Sequence, residues 1–96
     1  MEYDTSFESQ RTMQLISAVH LQPEEDGGAI VIDDRTLTAA YINKAAYVIL
    51  QALHQPCTKE HLVVTLAEAA NCDLEDAAAP VIKLIDELTE LGWLSS

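Results

Sequence analysis

The hydrophobic pattern of this 96-residue chain changes its period once, at Asn43. Before Asn43, apolar residues alternate with polar ones or form short β-branched runs, which is the pattern of β-strands. After Asn43, apolar residues recur every three or four positions, which is the pattern of amphipathic helices. Strands followed by helices predict an α+β domain, in which one sheet packs against a group of helices.

The first half of the chain predicts three strands, over 15–21, 29–32 and 38–42. The segments between them are short and rich in Pro, Gly and Asp, the residues that favour turns. Short connections predict an antiparallel meander, whose first and third strands lie at the edges of the sheet. Residues 1–13 have no period, so we expect a flexible N-terminal arm there, followed by a single domain over 14–96.

Three helices are predicted after the strands, and Asn43, Thr58 and Asp73 are suited to be their N-caps. Pro80 lies inside the third helix and is expected to kink or loosen its start. Gly92 is expected to end that helix in a left-handed conformation. The predicted fold is therefore winged-helix-like, a three-stranded antiparallel sheet followed by three helices. The main apolar stripe of the third helix consists of Val81, Leu84, Ile85, Leu88 and Leu91.

Charge and hydropathy exclude several classes of partner. The net charge is −11 with only five Lys and Arg residues, whereas nucleic-acid binding needs clustered basic side chains. No apolar run approaches the ~20 residues of a membrane span, and the N-terminus lacks the apolar core of a signal peptide. Cys57 and Cys72 form no CxxC motif, which favours a reduced pair. We expect a cytoplasmic protein that binds neither nucleic acid nor membranes.

No pattern of catalytic or metal-binding residues is evident. The three histidines, His20, His54 and His61, are scattered without the spacing of a metal site. The sequence shows no pair of a nucleophile and a general base, and no glycine-rich loop of phosphate-binding form follows a strand. We therefore expect no cofactor, no metal and no enzymatic activity, which leaves a binding function.

Residues 27–53, "GGAIVIDDRTLTAAYINKAAYVILQAL", resemble the central signature of the PqqD-like family, also called RiPP recognition elements. The family pattern is an apolar strand ending in Asp, a turn, a short strand ending in a hydrophobe and Asn, and a helix of small and aliphatic residues. The later segments "TKEHLVVTLAE" and "LTELGWL" are similar to the rest of the pattern, so the resemblance covers about residues 15–95. The turn lacks the usual glycine, and the third strand carries alanines where larger residues are common.

The resemblance implies a function. Family members bind the leader segments of ribosomally made peptides as an added strand against the third strand, with leader side chains against the third helix, which is β-augmentation. Small residues such as Ala39 and Ala40 suit an edge that a peptide must approach, although short, poor strands also protect edges from aggregation. The peptide-binding residues implied are Thr38, Ala39, Ala40, Tyr41 and Ile42 on the strand, and Ala78, Ile82, Ile85, Asp86 and Thr89 on the helix.

By this resemblance the chain is a free-standing domain that presents a precursor peptide to a separate maturation enzyme. A lasso-peptide leader protease is slightly favoured over a radical enzyme, because the domain stands alone. Two alternatives remain from the residues themselves. One is a winged-helix transcription factor, which the lone basic residue of the third helix, Lys83, disfavours. The other is a non-catalytic structural subunit without a peptide ligand. For Ile82 alone, the alternative to a place in the peptide-binding groove is an ordinary core position beneath the sheet.

Overall fold

The computed structural model describes residues 11–95, and it confirms an α+β fold in which the three strands of the main sheet precede the three helices. The elements are β1 (Thr12–Leu15), β2 (Val19–Pro23), β3 (Ala29–Asp33), β4 (Thr38–Ile42), α1 (Lys44–Ala52), β5 (Cys57–Thr58), α2 (Lys59–Ala70), α3 (Leu74–Glu90) and β6 (Leu94–Ser95). The main sheet has the order β2–β3–β4 and is antiparallel, so its first and third strands are edges as predicted. A second small sheet, β5–β1–β6, makes the winged-helix label a loose one.

The first predicted strand, over 15–21, is wrong as a single element. The chain reverses after Leu15, and the Val19 N–H donates to the Ile16 carbonyl (3.2 Å). The Ile16 N–H donates to the Trp93 carbonyl (2.8 Å), which ties β1 to the end of the chain rather than to the main sheet. The alternation continues through this turn because Leu15 and Val19 both enter the core from different sheets.

The predicted N-terminal arm, residues 1–13, lies mostly outside the described residues. Of its last three positions, Thr12 and Met13 belong to β1 and pair with Thr58 and Cys57 of β5. These two residues are therefore part of the folded domain rather than of an arm.

The helix ends follow the signals in the sequence, with two differences. The side chains of Asn43 and Thr58 each accept a hydrogen bond from the backbone N–H three residues on (2.9 and 3.0 Å), and Gly92 has a φ of 75°. Asp73 stands at the N-cap of α3 but makes no side-chain cap bond. Helix α3 runs as one element from Leu74 to Glu90 through Pro80, so the proline does not interrupt it.

The core lies between the inner face of the main sheet and the three helices. Ala29, Val31 and Asp33 of β3 are buried and define that inner face. On α3, Val81 and Leu88 of the predicted stripe are buried, but Leu91 is 53% exposed because the helix ends there. The fully buried large side chains are Ile49, Leu50, Leu53, Leu62, Val31 and Val81.

The Asp33 carboxylate, which is 2% exposed, links three parts of the chain. One oxygen accepts hydrogen bonds from the backbone N–H (2.9 Å) and Nε (3.1 Å) of Arg35, in the turn between β3 and β4. The other accepts from Arg35 Nη2 (2.9 Å) and from Trp93 Nε1 (2.9 Å). Arg35 Nη2 also donates to the carbonyl of Leu91 (3.3 Å). The β3–β4 turn is thereby fixed to the C-terminal end of α3.

We predict that Asp33→Asn lowers the melting temperature by about 5 °C or more at neutral pH, because the amide cannot form the paired bonds to Arg35 and leaves buried polar groups unpaired. The matched control is Asp34→Asn, since Asp34 is an exposed carboxylate bonded to His20 (2.7 Å). That change should have little effect. Thermal unfolding followed by circular dichroism measures both, and equal losses in the two variants would contradict this role.

The stability that Asp33 contributes should also depend on pH. The Arg35 side-chain bonds, together with N–H donors from Arg35 and Trp93, hold the pKa of Asp33 well below its usual range. A depressed folded-state pKa means that its stabilisation is complete above the unfolded pKa near 4 and is lost as the pH falls below it. The melting temperature should therefore fall more steeply below about pH 4 in the wild type than in Asp33→Asn. Parallel acid titrations of both proteins test this.

Candidate functional site

Strand β4 is an edge that the rest of the described fold leaves uncovered. Residues 38–41 are exposed, Ile42 is half-buried, and the strand packs extensively only against β3. The five strand residues predicted from the sequence, Thr38, Ala39, Ala40, Tyr41 and Ile42, therefore form one continuous edge.

Hydrogen bonds on the other side of β3 determine which backbone groups of β4 point outward. The Glu24 N–H donates to the Gly28 carbonyl, and the Asp34 N–H donates to the Ala18 carbonyl (both 2.9 Å). Backbone groups of an antiparallel strand point alternately to its two neighbours. Residues 28, 30, 32 and 34 therefore face β2, and residues 29, 31 and 33 face β4.

The register then assigns the groups of β4 itself. Residues 29, 31 and 33 lie opposite Ile42, Ala40 and Thr38, whose N–H and C=O groups are consequently used within the sheet. Ala39 and Tyr41 direct their N–H and C=O groups away from the sheet. Two of the five predicted strand residues thus supply the outward donors and acceptors.

The Tyr41 side chain lies on the outer face of the sheet, away from the core. Its hydroxyl donates to Asp26 Oδ2 (2.7 Å), a bond that raises the pKa of Tyr41 and lowers that of Asp26. A Cβ atom at Gly28 would come within 2.5 Å of the Tyr41 hydroxyl and 2.4 Å of the Ile42 carbonyl, so only glycine fits beneath β4. The Tyr41 side chain therefore anchors β4 to the β2–β3 loop. At the edge of the sheet, only the backbone groups of Tyr41 are available to a partner.

The inner face of β4 is open as well. Thr38, Ala40 and Ile42 share the face of the buried Val31, yet Ala40 is exposed because no helix covers it and its methyl group fills little space. A recess therefore runs along β4 on the side of the helices.

Helix α3 borders this recess with one defined flank. At the start of β4, Arg35 Nη2 donates to the Leu91 carbonyl (3.3 Å). At the end of β4, Asn43 lines a cavity together with Pro80, Lys83 and Glu87. Helix α3 thus runs antiparallel beside β4. We call the space between β4 and the flank formed by Pro80, Lys83, Leu84, Glu87 and Leu91 the groove.

Next to Asn43, which directly follows β4, residues of all three helices line a cavity of about 260 Å³. Its floor is mainly apolar, and Lys83 and Glu87 place one charge of each sign at its rim. This combination suits one apolar side chain with charged neighbours. The lining residues are Asn43, Ala45, Ala46, Ile49, Leu66, Pro80, Lys83, Leu84 and Glu87.

The helix residues predicted from the sequence lie on the other flank of α3 and are not brought together with β4. At 100° per residue, their centre is roughly 170° around the helix from the groove flank. Ile85 packs against the core, Ile82 is 44% exposed, and the Thr89 hydroxyl donates to the Ile85 carbonyl (2.7 Å). The cavity beside Asn43 thus involves the opposite flank of α3, and none of Ala78, Ile82, Ile85, Asp86 and Thr89 lines it.

The groove flank of α3 was missed because a helical wheel gives two flanks beside a core stripe without saying which one borders the sheet. The apolar spacing places Leu84 and Leu91 in the core stripe, and in the sequence Pro80 indicates only a helix breaker. The available signal in the sequence is the position of Leu91 directly before Gly92, which ends the helix. A stripe residue at that position has little core to pack against.

Within residues 11–95, no group of three or more His, Cys, Asp and Glu side chains is placed to hold a metal ion. Cys57 and Cys72 are both free thiols, and the burial of Cys57 raises the pKa of its thiol, whereas Cys72 is exposed. None of the helices in the same residues is long and apolar enough to cross a membrane.

Comparison with known proteins gives a matching family and similar solved structures, among them the following two. The family described as coenzyme PQQ synthesis protein D (PqqD) matches residues 28–94, which is 67 of the 96 residues. The structure of TbiB1 in complex with the TbiA(beta) leader peptide is similar with a TM-score of 0.73 and 14% identity, covering 86% of this chain and 95% of that one. No curated protein sequence matches.

The second structure is the PqqD truncation of Methylobacterium extorquens PqqCD, described as a functional and stand-alone RiPP recognition element. It is similar with a TM-score of 0.72 and 13% identity, covering 92% of this chain and 93% of that one. At these identities, the two likenesses show a shared fold.

The directions of the backbone groups at β4 predict that proline destabilises the domain to very different extents at two neighbouring positions. Ala40→Pro removes an N–H that is bonded into the sheet and should lower the melting temperature strongly. Ala39→Pro removes an outward N–H, at the kind of edge position where sheets tolerate proline, and should cost little stability. Melting curves of both variants test the assignment, and a larger loss in Ala39→Pro would reverse it.

Proposed function

This chain belongs to the PqqD family, and we propose that it binds the leader segment of a ribosomally synthesised precursor peptide in the groove. The observation that carries the proposal is the edge of β4, whose outward backbone groups stand beside an open groove on α3. The leader would add as a strand to β4, and the domain would present the rest of the peptide to a separate maturation enzyme.

Backbone hydrogen bonds provide the part of the affinity that does not depend on leader sequence. Ala39 and Tyr41 together offer two N–H and two C=O groups to an added strand. Each such bond contributes roughly 1 kcal/mol net, so the edge alone gives weak binding. Tight binding therefore requires side-chain contacts in addition.

Side-chain contacts in the groove provide the selectivity. Alternate side chains of an added strand point to the same face, so every second leader residue would project over the groove. Because Ala40 is small, these side chains can reach Leu84 and Leu91 on α3. The cavity next to Asn43 would receive one apolar anchor, with Lys83 and Glu87 available to charged neighbours of that anchor.

The chemistry on the peptide is proposed to belong to another protein. A domain of the same fold is described as functional and stand-alone, which supports a recognition role for the fold without an attached enzyme. The choice of a lasso-peptide system and the cytoplasmic location stay predictions. The alternative of a DNA reader finds no support on α3, whose only basic residue is Lys83.

We predict that Leu91→Asp weakens leader binding by roughly 5- to 100-fold, because it places a charge against an apolar leader side chain at a cost of about 1–3 kcal/mol. Ile82→Asp is the matched control, since Ile82 is similarly exposed (44% against 53%) but lies on the other flank of α3. It should bind within about twofold of wild type. The measurement is titration calorimetry with the leader peptide encoded beside this gene.

The opposite pattern in these two variants would move the site to the other flank of α3. No measurable binding by the wild-type protein would reject the proposed function. Melting curves confirm that each variant is folded before its affinity is compared.

The backbone contribution is tested separately at Ala39. Ala39→Pro removes one outward donor and adds a ring at the edge, so leader binding should fall about tenfold or more. Ala39→Val keeps the N–H and adds a side chain on the outer face, and should bind nearly as wild type. If both variants bind normally while Leu91→Asp does not, the leader enters the groove without joining the sheet.

A further inference from the structure

Helix α3 carries a second apolar surface, on the flank that faces away from the groove. We call it the outer strip, and it consists of Leu74, Ala78, Ile82, Ile85 and Thr89. Their spacing places them within about 80° of one another along roughly 22 Å of helix. Leu74 is 55% exposed and Ile82 is 44% exposed, while Ala78 and Ile85 are half-buried.

The outer strip holds two of the three exposed large hydrophobic side chains that lie away from β4 and the groove. Six large hydrophobic side chains are exposed in residues 11–95. Leu37 directly precedes β4, Tyr41 lies on its outer face and Leu91 borders the groove, so these three lie on or beside the strand to which the leader would add. Val64 stands on α2, and the remaining two, Leu74 and Ile82, both lie on the strip. Apolar side chains clustered on one exposed flank mark an interaction surface.

Charge around the strip indicates what kind of surface covers it. Glu75 and Asp86 border its solvent side, and Glu90 lies next beyond them around the helix. A second copy of this chain, with a net charge of −11, would bring two acidic rims together. The rim is complementary instead to a surface that has an apolar centre bordered by Lys or Arg.

We propose that the outer strip is the docking surface for the peptide-maturation enzyme of the same system, through an apolar patch that is bordered by basic residues. This inference rests on the proposed function, because it takes the chain to present a peptide to a separate enzyme. The groove and the strip lie on opposite flanks of α3, so one helix holds the leader on one side and the enzyme on the other. Both partners then bind at the same time.

The test measures enzyme binding and leader binding on the same set of variants. The enzyme encoded beside this gene is titrated against the full chain, without leader, by biolayer interferometry. Ile82→Asp should weaken enzyme binding about tenfold or more, and Leu91→Asp should leave it within about twofold. The leader titration should give the reverse order for the same two variants.

Charge is tested by reversing it at one rim position. Asp86→Lys should weaken enzyme binding several-fold, whereas Glu60→Lys, the same change at an exposed position in the first turn of α2, should not. Enzyme binding by the wild-type chain should also weaken with added salt, because exposed charges are screened. If Ile82→Asp fails to fold, Asp86→Lys and its control still decide the question.

Two results would overturn the inference. The first is enzyme binding that is unchanged in both Ile82→Asp and Asp86→Lys. The second is a wild-type dimer in sedimentation that Ile82→Asp dissociates, since a second copy would then occupy the strip. If the proposed function is wrong, the result differs, because no leader binds the wild-type chain. The enzyme titration still tests the outer strip independently in that case.

Discussion

The carboxylate of Asp33 is the interaction on which the arrangement of this small domain depends. It lies at the end of β3, almost fully buried, and its four hydrogen bonds join the β3–β4 turn to Trp93 and, through Arg35, to the end of α3. A buried charge is costly unless it is paired and hydrogen-bonded, and here both oxygens are satisfied. The consequence is geometric, because the C-terminal end of α3 is held beside the start of β4.

The groove follows from that anchor. With Arg35 bonded to the Leu91 carbonyl at one end and Asn43 facing the Pro80–Glu87 flank at the other, α3 runs along β4 without packing onto it. Ala40 then leaves a recess where a larger residue would close the space. An exposed strand edge is usually a liability, because it can pair with another copy. Here the edge is short, and the strong negative charge of the chain opposes self-association.

The two surfaces of α3 differ in physical character, and each suits a different proposed partner. The groove combines outward backbone groups with an apolar floor, which suits an extended peptide. The outer strip is a helix flank with an acidic rim, which suits a folded protein surface. A helix buried along one stripe has two such flanks, so a domain of this size can hold a peptide and a protein without any further element.

The sequence by itself determined the class of fold, the helix caps and the strand half of the candidate site. These features depend on local periodicity and on capping chemistry. Both are determined by a few neighbouring residues, as in segment 38–42 and at the Asn43 cap. Only the tertiary structure decided three further features. It divided the predicted first strand between two sheets, it directed the Ala39 and Tyr41 backbone groups outward, and it placed the Leu84 flank of α3, rather than the Ile82 flank, at the cavity next to Asn43. Each of these is settled by contacts between distant segments, such as Ile16 with Trp93 and Arg35 with Leu91. Local spacing fixes how residues are arranged around a helix or along a strand, but it leaves open how that element is rotated against its neighbours.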